Sequence, residues 1–482
     1  MRTFLALWLR KCYKLRMAAR FITVDHETAL LLPPDLRDWV PEDHMVNFVM
    51  DAVKLLNLDK ARVNERGTGD AQYPPSMMLG LLIYCYATGT FSSRKIERLT
   101  YDSVAVRYLC ADTHPDHDSI CKFRRENKAL LESSFHQVLE CAARAKILKV
   151  GEITLAADGT KILAHASKHS AVSHGHAVEQ MKLLEEEIAQ LLAKAEAADS
   201  TPLQDGLSVP GEVKRRSERI AKIKEALTVI EERATERHRQ EQAAYESKVK
   251  ERADKEKSTG KKSGGREPQP PAEGPRGTDQ YNFTDPESRI MKAGSGGHFE
   301  QSYNAQAAVD IESRLIVAQQ VCASPNDKEQ LVPTLQALSP VVESVAAVLV
   351  DSGFYSEVAV ENIERHSPQL ALKNTIVYAA TKRQRHGRSV AELEARDDPP
   401  APAAGSPVSE VMAHRMETKA GKTLYAQRKQ TIEPVFGIIK AAMGFRQFLL
   451  RGLSKVQLEW TLVSVSYNLK RLFHMGAKLK AA

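Results

Sequence analysis

Between residues 26 and 150 the apolar positions recur at helical spacing, and no alternating stretch interrupts them. "PPSMMLGLLIYCYATG" (74–89) opens on prolines, which suit a first helical turn, and runs apolar to Gly89, a stop signal. "SSRKIERLTYDSVAVRYLC" (92–110) begins with serine caps and buries Ile96, Leu99, Val104 and Leu109. "DHDSICKFRRENKALLESSFHQVLECAARAKIL" (116–148) supplies one or two further helices. On such a module Arg94, Arg98, Lys122, Arg124 and Arg125 are expected to face outward.

From Glu152 the pattern changes. "EITLAAD" reads as a short strand, followed after a long interruption by "SYNAQAAVD" (302–310) and "LIVAQQVCA" (315–323). A helix over "DKEQLVPTLQALSPVVESV" comes next, with Asp327 as N-cap and Gln330 three residues on. Then follow a strand "AAVLVD" (346–351), a helix "SEVAVENIERH" and a strand "QLALKN". Three strands and then alternating helices and strands predict a mixed α/β sheet flanked by helices.

The interruption differs in texture. "VEQMKLLEEEIAQLLAKAEAA" and "VKRRSERIAKIKEALTVIEERATERHRQEQ" are charged amphipathic helices with narrow apolar stripes (Leu184, Ile188, Leu191; Ile220, Ile223, Leu227, Ile230), as in a coiled-coil hairpin. "KSTGKKSGGREPQPPAEGPRGTDQ" (257–280) is Lys/Gly/Pro-rich and reads as flexible. The predicted organisation is a basic extension (1–25), a helical domain (26–150), an α/β domain in two pieces (151–164 and 299–475), a coiled-coil-like insertion (165–256) and a flexible return (257–298).

Composition narrows the class. At 482 residues there is room for two or three domains, and no apolar stretch is long enough to span a bilayer. The apolar part of "MRTFLALWLRKCYKLRMAAR" is too short for a signal peptide. Six scattered cysteines without a CxxC pair point to reduced thiols in a cytoplasmic setting. The net charge is only +7, but Tyr425–Ala482 carries ten Lys/Arg against two acids, which suits a polyanionic partner such as nucleic acid. The solvated face of a helix is the plainer alternative.

Two predicted strands, "ITLAAD" and "AVLVD", each stop on a lone aspartate with glycine close behind. One Asp-Gly is usually a turn. Two strands of one sheet, each ending on a carboxylate, would bring Asp158 and Asp351 within reach of a single hard cation. A third acid, Glu433, lies in "YAQRKQTIEPVFGIIKAAMGFRQF", four residues after Lys429 and seven before Lys440. A Lys429–Glu433 pair that merely supports the helix is the alternative. Pro434 disfavours helical geometry at Glu433, so the helix is predicted to start near Thr431. A helix continuous from Tyr425 would be kinked there.

"LAADGTKI", "TDPESRIMK", "YNAQAAVD", "VLVDSGFYS" and "YAQRKQTIEPVFGIIK" resemble, in that order, the catalytic domain of DDE transposases of bacterial insertion sequences. "YPPSMMLGLLIYCYATGTFSSRKIERL" and "PDHDSICKFR" resemble the helical N-terminal domain of the same proteins. The resemblance covers nearly everything from about residue 20 to 475 except the charged insertion. It implies an RNase H-like α/β catalytic fold with an all-α DNA-binding domain before it. Asp158, Asp351 and Glu433 would be the catalytic acids, holding two Mg²⁺ (or Mn²⁺) ions about 3.5–4 Å apart. The ions would activate a water for cleavage at a transposon end, after which the freed 3′-hydroxyl attacks target DNA.

The family's Tyr-Arg-Glu-Lys signature is met by Tyr425, Glu433 and Lys440, but Arg428 stands one residue too far from Glu433 and Lys429 holds the arginine's place. Lys440, Arg446 and Arg451 would grip phosphates, with Tyr425, Arg428 and Lys429 of the signature segment and Arg94 and Arg124 from the helical domain also expected at the DNA. The partners implied are terminal inverted repeats and target DNA, with a homodimer in the synaptic complex, no membrane, and a place in the bacterial nucleoid. A catalytically inactive or repurposed DNA-binding derivative is the alternative, and a nuclease that never joins strands would use the same acids.

Overall fold

Helices fill the described chain from Met45 to Arg144, as the apolar spacing predicts. The computed structural model describes residues 35–63, 72–197, 208–259, 267–293, 298–365, 370–381, 398–403 and 405–479. Two units divide the chain, Met1–Pro41 and Glu42–Ala482. In the first, one helical turn, Leu36–Trp39, is capped by the Asp35 side chain; the basic extension read at 1–25 lies outside the described residues. The second unit begins with α1 (Met45–Lys54), α2 (Pro75–Ala87), α3 (Ser93–Asp102), α4 (Val104–Leu109), α5 (His117–Glu126) and α6 (Lys128–Arg144). Pro75 opens α2, and ten of its thirteen residues are buried, so it forms the centre of the bundle rather than one wall. The stretch 116–148 makes two helices. Asp116 caps the first through the N–H groups of Asp118 and Ser119.

The mixed sheet follows. Its strands are β1 (Glu152–Leu163), β4 (Arg289–Ala293), β5 (His298–Asp310), β6 (Ile316–Cys322), β7 (Ser344–Val350) and β8 (Ile376–Ala379), while β2 (Ala171–Ser173) and β3 (Gln280–Asn282) form a separate ribbon. The order β4-β5-β1-β7-β8 puts β1 in the middle, antiparallel to β5 and parallel to β7, and β6 pairs with β5 along the edge opposite β1, beyond the stretch that pairs with β4. Helices flank this sheet, the RNase H-like architecture.

Several local readings change. β1 does not stop at Asp158 but continues through Gly159 to Leu163, because β5 pairs with it residue for residue from Leu155↔Asp310 to Leu163↔Ser302. An Asp-Gly with a partner strand alongside has no need to turn. The helix predicted over 327–345 shrinks to α9 (Leu331–Gln336), with Gln330 and not Asp327 at its N-cap position. The described part of "QLALKN", Leu370 onward, is not a strand: Leu370–Leu372 is a 3₁₀ turn, and β8 forms just beyond it. The return segment carries β3 and β4, so its second half is ordered by pairing with β2 and β5.

The insertion is a helical hairpin of α7 (His174–Ala197) and α8 (Val209–Thr259). Its apolar stripes close on Ala177, Leu184, Ile220, Ile223, Leu227 and Ile230, and Val172 and Tyr281 of the ribbon complete that core. The two ends of the insertion are therefore clamped together where it leaves the sheet.

Helix α10 (Glu357–Glu364) begins on the Ser356 cap, and α11 (Val408–Glu417) leads into α12 (Lys419–Gly437). The last helix, α13 (Leu453–His474), is buried without a break from Leu458 to Leu469 and packs against α2, α6 and β6. Its polar side chains finish the outer edge of β6: Asn468 exchanges hydrogen bonds with both main-chain groups of Ile316 (2.9 and 2.8 Å), and Gln457 accepts from the Val321 N–H (2.6 Å). Glu459 is fully buried. It accepts from Tyr86 Oη (3.0 Å) and from the N–H groups of Leu449 and Leu450 (2.9 and 3.0 Å).

Arg124 completes this network and corrects an expectation. It does not face solvent: its guanidinium donates to Tyr86 Oη (2.7 Å) and the Phe91 carbonyl (3.0 Å) and lies 3.9 Å from Glu459. Removing one partner of a buried ion pair strands the other charge. Glu459→Ala is therefore expected to destabilise the protein by about 3–5 kcal/mol, read as a large drop in the unfolding midpoint. Arg125→Ala, on the exposed side of the same helix, should leave the midpoint within about 0.5 kcal/mol of the wild type.

Candidate active site

A carboxylate in the middle strand of a covered sheet must be solvated by the protein itself. Asp158 sits on β1 one residue beyond the Ala157↔Val350 pair, and Asp351 follows Val350 directly, so the two acids emerge side by side. Arg428 of α12 reaches between them. Its Nη1 lies 3.1 Å from Asp158 Oδ2 and its Nη2 3.9 Å from Asp351 Oδ1. Asp158 Oδ1 accepts from the Gly159 N–H (2.8 Å), and Asp351 Oδ1 accepts from the Ser352 N–H (2.7 Å). Tyr425, one turn before Arg428, donates to the Val350 carbonyl (3.1 Å) and lays its ring 6.0 Å from the guanidinium carbon.

Burial pushes the Asp158 carboxyl up to about 6; Arg428 and the Gly159 N–H oppose the shift, and Asp351 and Asp327 add repulsion. One guanidinium thus offsets only part of the cost of burying this carboxylate, and a cation held beside it would offset more.

Behind Asp158, on the opposite face of β1, lies a polar cluster that local sequence reading misses. Asp327 Oδ1 accepts from Asn304 Nδ2 (2.6 Å), Gln306 Nε2 (2.9 Å) and Lys161 Nζ (3.2 Å). A Cβ added at Gly159 would collide with Gln306 Nε2 and would meet Asp327 Oδ1 at 2.7 Å and Asn304 Oδ1 at 2.9 Å. The glycine after the aspartate is required by close approach, not by a turn. The available signal was "YNAQ", two amides two residues apart on one face of an otherwise apolar strand.

Glu433 has a different setting. Helix α12 runs unbroken from Lys419 with Pro434 inside it, rather than starting near Thr431, and a π-helical turn, Ile438–Ala442, follows. The buried face of α12 carries Arg428, Thr431, Ile432 and Val435. Five residues at about 100° each turn Glu433 well away from Arg428, and it is exposed. Among the described residues no three His, Cys, Asp or Glu side chains are grouped to hold a metal ion, so Asp158, Asp351 and Glu433 do not form such a group.

The expected DNA-binding residues divide likewise. Arg428 is buried in its ion pairs and Arg124 is buried against Glu459, so neither presents its charge to the surface. Lys429, Arg446, Arg451 and Arg94 are exposed. Lys440 Nζ donates to the Lys161 carbonyl (3.0 Å), and burial, then Arg446 and Lys161, lower its pKa. Arg446 Nε donates to the Lys440 carbonyl (2.9 Å), and Arg451 Nε to that of His165 (3.0 Å). These cations run along the segment that borders the far end of β1, where Leu163 bridges to Gln447.

A family model described as Transposase DDE domain matches residues 271–469, and one described as Transposase domain (DUF772) matches residues 34–126; together they cover more than half of the chain. The chain belongs to the DDE transposases. No curated protein and no solved structure matches it. A transposase acts on DNA, and this family generally uses divalent metal ions. The catalytic-domain match contains Asp351 and Glu433 and begins after the insertion, so β1 with Asp158 lies outside it; β1 nonetheless fills the middle of the transposase sheet. No helix among the described residues is long and apolar enough to cross a membrane.

Two outcomes follow from this geometry. A carboxyl whose pKa is near 6 in the folded chain and near 3.9 in the unfolded one takes up a proton on folding, so the stability it contributes at pH 4 is lost as pH rises through 6. Asp158→Asn is therefore expected to lose roughly 1–3 kcal/mol less stability than the wild type between pH 4 and pH 7, on top of a constant loss from leaving Arg428 without a carboxylate partner, measured by urea unfolding without added metal. Gly159→Ala is expected to destabilise the protein by about 1–3 kcal/mol, seen as a lower unfolding temperature.

Proposed function

We propose that this transposase cuts the phosphodiester at transposon ends and joins the freed 3′-hydroxyl to target DNA, with Asp158, Asp351 and Glu433 as its acids and Mg²⁺ or Mn²⁺ as cofactor. The observation that carries the reading is the convergence of Asp158 and Asp351 on one guanidinium. Two carboxylates suit magnesium, which keeps several waters and is held by one or two acids together with substrate phosphates. Asp158 and Asp351 would hold the cation, and Glu433, on the same helix as Arg428, would join them as the third acid when DNA is bound. Bound there, two such ions supply Lewis acidity to the attacking oxygen and the leaving oxygen.

The side chains of the chain divide the remaining work. Arg428 balances the paired acids and holds α12 against β1. Tyr425 fixes Arg428 from one side and the end of β7 from the other. Lys440, Arg446 and Arg451 border the far end of β1 and would hold the DNA backbone, joined by Lys429 and by Arg94 of the helical domain, because phosphate contacts fix register without reading sequence. In the first step water attacks phosphorus and the 3′-oxygen leaves as a hydroxyl. In the second that hydroxyl attacks a target phosphate, and a target 3′-oxygen leaves. No side chain is bonded to DNA at any point. Two ends handled together call for a homodimer in the synaptic complex.

Single substitutions Asp158→Ala, Asp351→Ala and Glu433→Ala are each expected to lower Mn²⁺-dependent cleavage and strand transfer on end-containing DNA by at least about 100-fold, with binding to the same DNA retained. Wild-type protein that shifts this DNA but leaves it uncut with Mg²⁺ or Mn²⁺ would instead be the binding-only derivative. Unchanged cleavage in Glu433→Ala would remove that residue from the set.

A further inference from the structure

At the root of the insertion two arginines from distant parts of the chain meet without a carboxylate between them. Arg233 of α8 donates from Nη2 to the Pro286 carbonyl (2.9 Å), and Arg289 of β4 donates from Nη1 to the same oxygen (2.9 Å) and to the Ser288 carbonyl (2.8 Å). Neither has an ion pair within 4 Å among the described residues. The acids of the adjoining turn make their hydrogen bonds elsewhere: Glu287 accepts from the Leu453 N–H (2.6 Å), and Asp285 accepts from Tyr303 Oη (2.8 Å) and the Gly452 N–H (3.2 Å); Glu287 acts on the two arginine charges only at longer range. Arg233 Nη1 is buried with no partner. Burial and then the Arg233 charge push Arg289 down to about 10. Two guanidiniums sharing one neutral carbonyl make a locus short of negative charge, and forked N–H groups match phosphate geometry.

We propose that Arg233 and Arg289 form a binding site for a DNA backbone phosphate, so that the helical insertion is part of the DNA-binding surface. This rests on the transposase reading above and extends it to residues outside the segment that supplies Lys440, Arg446 and Arg451. The site is continuous with that segment, because Gly452 and Leu453, next to Arg451, are hydrogen-bonded to the turn that presents Pro286. Its distance from the acids follows from register. Arg289 pairs with Ser302, which pairs with Leu163, five residues along β1 from Asp158. Five residue rises and two inter-strand spacings put the two backbone positions roughly 19 Å apart, and the odd step along β1 puts Arg289 on the face of the sheet opposite Asp158.

The test is the salt dependence of binding to a fluorescein-labelled random-sequence duplex of about 30 base pairs, titrated from about 50 to 200 mM NaCl. The Arg233→Gln/Arg289→Gln double variant is expected to reduce the slope of log K against log salt by about 0.9, the value of one phosphate contact, while Arg233→Lys/Arg289→Lys retains the wild-type slope. An unchanged slope in a folded Gln variant overturns the proposal. Should that variant fail to fold, arginine labelling of the wild type with phenylglyoxal decides: protection of Arg233 and Arg289 by the duplex supports the site, and equal labelling with and without DNA overturns it. A wild type with no salt-dependent duplex binding would bring down the transposase reading, whereas normal binding with unprotected arginines sinks this inference alone.

Discussion

The ion pair of Asp158 with Arg428 is the constraint on which the catalytic half depends. A carboxylate held in the middle of a covered sheet is costly unless a positive charge stands against it. Arg428 supplies that charge only because α12 runs unbroken past Pro434 and lies across β1, β5 and β7. The pair fixes where the helix sits, and Asp351, exposed at the end of β7, comes within reach of the same guanidinium. Burial raises the Asp158 pKa by more than Arg428 and the Gly159 N–H lower it, and the single guanidinium faces two carboxylates. A fold that leaves two acids one positive charge short has the electrostatics of a cation site.

A second buried carboxylate shows the contrast. Glu459 accepts three hydrogen bonds, two from the main chain and one from Tyr86, and Arg124 stands behind the tyrosine. Both of its oxygens are hydrogen-bonded. This acid joins the helical bundle to the last helix of the catalytic sheet, and nothing around it asks for a ligand. The same residue type therefore performs two tasks, separated by how fully the surroundings satisfy it.

Much of this was legible in the sequence because it is periodic. The strand residues of "SYNAQAAVD" and the apolar run before Asp351 both became the expected elements. What failed were local readings with a tertiary competitor. Asp-Gly reads as a turn until β5 lies alongside it. Asp327 reads as a helix cap until Asn304, Gln306 and Lys161, brought up by other strands, claim its carboxylate. Arg124 and Arg125 look equivalent on α5, and only Glu459, far along the chain, decides which one is buried. In the Tyr-Arg-Glu-Lys segment, the one-residue offset of Arg428 was visible in the sequence. Its consequence, that the offset arginine meets Asp158 while Glu433 turns away, required the helix to be placed on the sheet.

The most direct measurement is diffraction at the manganese edge from crystals of the full chain soaked in Mn²⁺. The expected result is anomalous density bonded to carboxylate oxygens of Asp158 and Asp351 at about 2 Å, the contact distance of a hard divalent ion. Manganese bound elsewhere, or none bound while Arg428 still pairs with Asp158, would contradict the account.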